Sequence, residues 1–171
     1  MKKLIAAFAI ATATPIAFVA SAPVAMADEE EGFQVPTPPE GMGQIVFYRT
    51  GGLSGAALGC AVFNAGEEEK LSSLGSGRYF VLVSEPGERN FAVKSLETDD
   101  ALTLEVEEGE TQFVRCKIKS GFFSGRANIA PSSLREMNRR YRNPKLVDAD
   151  DMSEAVRMTN YPETTVDEAA Q

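Results

Sequence analysis

The chain has 171 residues, about the length of one domain, and 43% of them are hydrophobic. It contains no histidine, which excludes the Ser-His and Cys-His nucleophile pairs and the His-ligated zinc sites. Its formal net charge is −8, so a broad basic surface for nucleic acid is not expected.

The N-terminal residues have the layout of a secretory signal peptide. Two lysines precede an apolar run from Leu4 to Ala20, and Ala25-Met26-Ala27 forms a small-residue cleavage motif directly before Asp28. We therefore expect cleavage between Ala27 and Asp28. The alternative is an uncleaved membrane anchor, for which a 17-residue run with an internal proline is marginal, since a bilayer core is ~30 Å thick.

Cleavage would leave 144 of the 171 residues, with a charge of −10 because two lysines leave with the signal peptide. The first cysteine is Cys60, so no cysteine stands at the cleavage point to carry a lipid. We expect an exported protein of the periplasm or cell envelope, with no integral membrane span in the mature chain. Its predicted parts are a disordered acidic and proline-rich tether over 28–43, a β-sandwich over 44–131, an amphipathic Arg-rich helix over 132–143, and an acidic, partly helical or disordered tail over 144–171.

Short apolar runs separated by glycine-bearing turns fill the central part of the chain, which is typical of an all-β domain. Pro86-Gly87 is predicted to turn one strand back into the next, and Pro131 to end the β region. The pattern predicts an antiparallel β-sandwich of about seven strands. The runs are 44–50, 58–64, 78–84, 90–95, 102–107, 111–119 and 126–130, with a further short strand left open at 70–74.

The predicted helix begins with a capping box. Ser133 can accept a hydrogen bond from the backbone of the first turn while Glu136 reaches back to the start of the helix. Asn143-Pro144 is predicted to end it. Met152, Ala155 and Val156 could line one face of a second short helix in the tail.

The two cysteines, Cys60 and Cys116, are both predicted to face the core of the sandwich. In an oxidising compartment they can form one disulfide, closing a loop of 56 residues. The alternative is a pair of buried free thiols that act as small hydrophobic residues. Without C-x-x-C spacing they form neither a redox motif nor a zinc site.

An ordered set of turn and strand motifs resembles one protein family. The motifs are Tyr48-Arg49, Val62-Phe63-Asn64-Ala65-Gly66, Gly77-Arg78-Tyr79-Phe80, Pro86-Gly87 and Gly109-Glu110-Thr111. They are similar to the bacterial domain-of-unknown-function family 2846, a small envelope-associated β-sandwich related in style to the PEGA and prealbumin-like modules. That family often has a histidine shortly after the Pro-Gly turn, where this chain has Glu88-Arg89-Asn90. The resemblance covers about 43–130 and implies a fold and a compartment, with no established chemistry.

Catalytic, cofactor and metal motifs are not found. The glycines between 51 and 59 are not followed by Gly-Lys-Ser/Thr, and Ser54 has no histidine as its base. The acids from Asp148 to Glu154 lack the glycine that an EF-hand loop requires. We therefore predict no catalytic residue, no cofactor and no metal.

Two features are candidates for binding a partner. Phe122 and Phe123 lie next to each other between glycines, so in an extended segment one of them would face away from the core. Four arginines, Arg135, Arg139, Arg140 and Arg142, lie on the predicted helix of an otherwise acidic chain. The alternatives are that the phenylalanines plug the core and that the acidic tail neutralises the arginines.

The sequence favours a non-catalytic binding or scaffolding module of the cell envelope, whose partner is an envelope protein or an anionic envelope component. One alternative is a carboxylate-based envelope hydrolase, since acids are plentiful, although a small sandwich offers little cleft. The other is a peripheral membrane-associated protein that uses the Arg-rich helix.

The exported protein should begin at Asp28. The intact mass of the protein recovered from the envelope fraction measures this directly. A mature pool that retains residues 1–27 would contradict the prediction.

Overall fold

The computed structural model describes residues 33–51, 58–94, 99–120, 125–140 and 143–161. In chain order these residues form β1 (Gly43–Arg49), β2 (Cys60–Asn64), β3 (Lys70–Leu74), β4 (Arg78–Ser84), β5 (Gly87–Lys94), β6 (Asp99–Val106), β7 (Thr111–Ser120), β8 (Gly125–Ser132), α1 (Leu134–Arg140), β9 (Lys145–Leu146), a 3₁₀ turn (Ala149–Asp151) and α2 (Glu154–Asn160).

The strands form two sheets, which confirms the predicted β-sandwich. The five-stranded sheet has the order β8-β7-β1-β4-β9, and the four-stranded sheet has the order β3-β2-β5-β6. Most neighbouring strands are antiparallel, whereas β1 runs parallel to β7 and β4 runs parallel to β9. The main core draws its buried residues from both sheets.

Strand β1 is buried along its whole length. Ile45 and Phe47 face the main core, where the Phe47 ring stacks on Phe80 at 4.9 Å and meets Phe91 of the other sheet edge-on at 5.0 Å. Its alternate residues, Val46 and Tyr48, belong to a second buried cluster on the outer face of the five-stranded sheet. Both faces of this strand are therefore covered, as expected for a strand rich in β-branched and aromatic residues.

The segment before β1 helps to cover that outer face. Phe33 and Val35 pack against the second cluster, and the Phe33 backbone N–H donates to Asn138 Oδ1 at 3.1 Å. The side-chain amide of Gln44 donates to the carbonyl oxygen of Pro36. The predicted tether therefore includes two residues, Phe33 and Val35, that pack on the domain.

Residues after α1 also belong to the sandwich domain. Strand β9 pairs with β4, and Val147 and Val156 are buried in the main core. The Ser153 backbone N–H donates to the carbonyl oxygen of Leu71 on β3 at 2.8 Å. The predicted boundary at residue 131 is therefore too early, since part of the acidic tail completes the core.

Two prolines behave differently from the prediction. Pro86-Gly87 does not return the chain beside β4, because β5 lies in the other sheet and the turn carries the chain across the sandwich. Strand β8 continues through Pro131, which pairs with Val114. An edge strand tolerates proline because one row of its N–H groups faces away from the sheet.

Helix α1 begins later than predicted, because Ser132 still belongs to β8. Ser133 caps it as expected, its hydroxyl oxygen accepting from the Glu136 backbone N–H at 3.2 Å. The second half of the predicted capping box is wrong, since the Glu136 carboxylate turns to Arg115 on β7.

The predicted disulfide is present in the structure. Cys60 on β2 and Cys116 on β7 are bonded, with a Cα–Cα distance of 6.6 Å. Because these strands lie in different sheets, the bond joins the two layers through the core, where both residues are buried.

Replacing both cysteines by alanine should lower the free energy of unfolding by about 4 kcal/mol, because the bond closes a 56-residue loop in the unfolded chain. Urea unfolding measures the loss. The unaltered protein with reducing agent is the control, since it loses the bond without losing the sulfur atoms. Recovery of both cysteines as alkylated free thiols, without prior reduction, would contradict the bond.

Candidate functional site

Positive charge is concentrated in one stretch of this acidic chain. Residues 111–147 contain nine Lys and Arg residues and a single acid, Glu136. The same stretch forms β7, β8, α1 and β9, so the charge segregation in the sequence becomes a segregation in space.

The strands place part of this charge on the outer face of the five-stranded sheet. Val114 and Cys116 are buried in the core, so Arg115, Lys117 and Lys119 project from the opposite face, where alternate residues of a strand lie. Arg126 of β8 pairs in register with Lys119 and therefore shares its face. Lys117, Lys119 and Arg126 are exposed.

Helix α1 adds more cations on the same side of the molecule. Met137 is buried against Val46 and Tyr48, so the helix lies over the outer face of the sheet. Arg135, Arg139 and Arg140 are exposed on it. We define the basic face by the six exposed cations of β7, β8 and α1, which are Lys117, Lys119, Arg126, Arg135, Arg139 and Arg140.

One polar network fixes α1 on the sheet. The Glu136 carboxylate forms an ion pair with Arg115 and a longer one, at 3.3 Å, with Arg140. The Ser132 hydroxyl donates to Glu136 Oε2 at 3.0 Å, and the Tyr48 hydroxyl lies 2.5 Å from Ser132 Oγ. Since the serine proton goes to the carboxylate, Tyr48 is the donor to Ser132.

The network shifts the titration of two groups. Burial raises the pKa of Tyr48 and outweighs the hydrogen bond to Ser132. Burial also acts to raise the pKa of Glu136, but the hydrogen bond from Ser132 and the charges of Arg115 and Arg140 together bring that pKa below its usual 4.5. Glu136 therefore stays ionised and holds two arginines, which makes its role structural.

The structure places some of the predicted binding residues and leaves others outside. Arg135, Arg139 and Arg140 lie on α1 as predicted, and within the described ranges no acid of the C-terminal segment forms an ion pair with them. The alternative of neutralisation by the tail finds no support there. Phe122, Phe123, Arg142 and the cleavage pair Ala27 and Asp28 lie outside the described residues.

The helix alone gave an incomplete site, because Lys117, Lys119 and Arg126 were missed. They fall within the predicted strand runs 111–119 and 126–130, where no residue was a candidate for binding. Counting charge over 111–147 would have found them, since a single acid among nine cations is unusual in a chain of net charge −8.

No group of three cysteine, aspartate or glutamate side chains is placed to hold a metal ion in the described parts of the chain. None of the described helices is long and apolar enough to cross a bilayer.

The fold and site define a disulfide-bonded β-sandwich with a cationic outer surface. The family described as "Protein of unknown function (DUF2846)" matches residues 39–127, from the end of the N-terminal segment into β8. The chain belongs to this family, as its ordered turn and strand motifs predicted. Neither a curated protein nor a solved structure matches the chain.

The Glu136 network predicts a pH-dependent stability. Because the folded-state pKa of Glu136 is lowered, its contribution is fully present above about pH 4.5 and is lost as the pH falls below that value. The Glu136→Gln variant should therefore be less stable than the unaltered protein near pH 7, and the difference should shrink in acid.

Urea unfolding between pH 3 and 7 measures both proteins. Glu105→Gln is the control, since Glu105 is exposed on β6 and forms no ion pair among the described residues. A difference for Glu136→Gln that stays constant or grows toward low pH would contradict the assignment.

Proposed function

We propose that this protein is an exported, non-catalytic binding module of the bacterial cell envelope that docks on an anionic envelope component through its basic face. The observation that carries the proposal is the segregation of charge. The whole chain has a net charge of −8, yet six exposed cations share one side of the domain.

Export is supported by two independent features. The N-terminal sequence has the layout of a signal peptide. The domain also contains a buried disulfide between its sheets, and such bonds form and persist in oxidising compartments. A reducing compartment would leave the two layers joined by packing alone.

The geometry of the basic face suits an extended anionic surface. Lys117 and Lys119 alternate along β7, so their Cα atoms lie roughly 7 Å apart. The exposed cations are spread along two strands and the helix α1. An array of acidic phospholipid head groups fits this arrangement, and each Lys or Arg near such a surface contributes ~1 kcal/mol.

Reversing the charge of the basic face should weaken binding to acidic vesicles. The test variant is Lys117→Glu with Lys119→Glu and Arg139→Glu, and sedimentation with phosphatidylglycerol vesicles measures the bound fraction. We expect a loss of at least about tenfold, because three favourable charges become repulsive. Binding of the unaltered protein should also fall as salt is added, since screening acts within ~10 Å at about 0.1 M.

Arg157→Glu is the matched control. Arg157 and Arg139 are both exposed and lie in the last part of seven-residue helices, but Arg157 belongs to α2. The comparison is between the single variants Arg139→Glu and Arg157→Glu. Equal losses of vesicle binding for the two would show that only net charge matters and would contradict a localised binding face. Binding to a soluble polyanion but not to vesicles would contradict acidic phospholipid as the partner. It would still support an anionic partner of another kind.

Turnover of cell-wall fragments distinguishes the hydrolase alternative. A single Glu→Gln change that abolishes such turnover, while the basic-face variants keep it, would replace this proposal by an enzyme. The glutamates lie on β5 and β6, on both helices and in the connecting segments, so such a screen covers them one at a time.

A further inference from the structure

The edge of β4 that faces away from β1 is only partly paired, because β9 has two residues and β4 has seven. Along this edge the backbone groups of every second residue point away from β1, because an antiparallel pair alternates its hydrogen bonding. Tyr79 is the first such residue, and its carbonyl oxygen accepts from the Val147 backbone N–H at 2.9 Å. Strand β9 therefore covers the beginning of the edge.

The side chain of Asn160 covers the next outward residue, Val81, with hydrogen bonds like those of a neighbouring strand. The Val81 backbone N–H donates to Asn160 Oδ1 at 2.9 Å, and Asn160 Nδ2 donates to the Val81 carbonyl oxygen at 2.7 Å. The same Nδ2 donates to the Val156 carbonyl oxygen at 2.7 Å, which holds the amide in place on α2. One carboxamide thus makes the two bonds that the N–H and C=O of one residue on a neighbouring strand would make.

The following outward residue is Val83, and within the described residues no partner is found for its N–H or its carbonyl oxygen. Val83 is half-buried, so its N–H and carbonyl groups lie next to a partly buried side chain. Main-chain groups of this kind are a template for an added strand.

Two cavities flank this position, and Val83 lines both. The first, of about 380 Å³, lies on the outer face of the sheet and is mainly apolar. Its lining includes Pro36, Pro39, Tyr79, Val81 and Leu146. The second, of about 390 Å³, is polar and lies toward β5.

The polar cavity has a net negative lining. Glu67 and Glu88 line it together with one cation, Arg89. The Arg89 guanidinium is already engaged by Ser84 Oγ at 2.7 Å and by the Glu85 carbonyl oxygen at 3.0 Å. The two carboxylates therefore favour a basic side chain in this cavity.

We propose that an extended peptide segment of a partner protein adds to β4 at Val83, with an apolar residue over the outer cavity and a neighbouring basic residue in the polar one. Successive side chains of a strand point to opposite faces, so one short segment reaches both cavities. Main-chain hydrogen bonds to Val83 supply affinity, and the two cavities supply selectivity.

The test uses the full mature chain and an acetylated Val-Lys-Val-Lys-Val peptide, with binding measured by fluorescence anisotropy at physiological salt. One comparison peptide replaces lysine by glutamate, and two others carry N-methyl groups on either the valines or the lysines. At least one methylated peptide should bind about tenfold more weakly, because it lacks the N–H groups that face β4. Hydrogen exchange at the Val83 amide should slow when the unmodified peptide is bound.

Two protein variants make the test specific. Val83→Pro removes the free N–H without removing a bond to β1, and should weaken binding by about tenfold. Glu67→Gln with Glu88→Gln should reduce the preference for lysine over glutamate while leaving the effect of N-methylation. Circular dichroism checks that each variant keeps its sheet content.

Non-specific electrostatic attraction between a basic peptide and this acidic protein would not depend on N-methylation of the peptide or on the Val83 N–H. Binding that ignores both methylation and Val83→Pro, with unchanged exchange at Val83, would overturn the proposal. Concentration-dependent dimers that Val83→Pro abolishes, in the absence of peptide binding, would also overturn it in favour of pairing between two copies of the chain.

Discussion

The burial of β1 on both faces is the constraint on which the rest of this structure depends. Its inner residues form the centre of the sandwich core, where Phe47 contacts aromatic rings from both sheets. Its outer residues include Val46 and Tyr48, whose removal from water is favourable because of their apolar area. The chain therefore needs covering elements beyond its two sheets.

Those covering elements decide where the cations lie. Helix α1 and residues 33–35 cover the outer face from β4 to Arg115, and the Glu136 network fixes the helix there. Within the described residues no helix covers the remaining part of β7 and β8, where Lys117, Lys119 and Arg126 are exposed. The basic face is thus the uncovered continuation of a surface whose other half is closed by packing.

Side chains and short segments also cover the edges of the two sheets. On β8 the Asp100 carboxylate accepts from the Ile129 backbone N–H at 2.9 Å, and on β3 the Ser153 backbone N–H bonds to Leu71. Asn160 covers β4 in the same way. Blocking of edges in this manner prevents uncontrolled strand pairing, and among the described residues Val83 is left without such a cover on β4.

The sequence by itself determined the elements that local chemistry specifies. Alternation predicted β6 and β7, glycine placed the turns at 66 and 109 where φ is positive, and the inward cysteines predicted the disulfide. The strands and turns follow from neighbours within a few residues, whereas the disulfide follows from a pair of inward-facing cysteines in an oxidising compartment. The ordered turns also identified the family before the fold was known.

Only the tertiary structure decided which elements meet. The sequence could not show that Pro86-Gly87 changes sheets, that residues 33–35 pack on β1, or that Glu136 leaves its capping position for Arg115. It placed arginines on a helix but not the strand cations beside them. Pairing between distant segments depends on long-range burial and charge, which local periodicity does not encode. The sequence therefore predicted which residues form the core, but not which segments cover it or which charges share a surface.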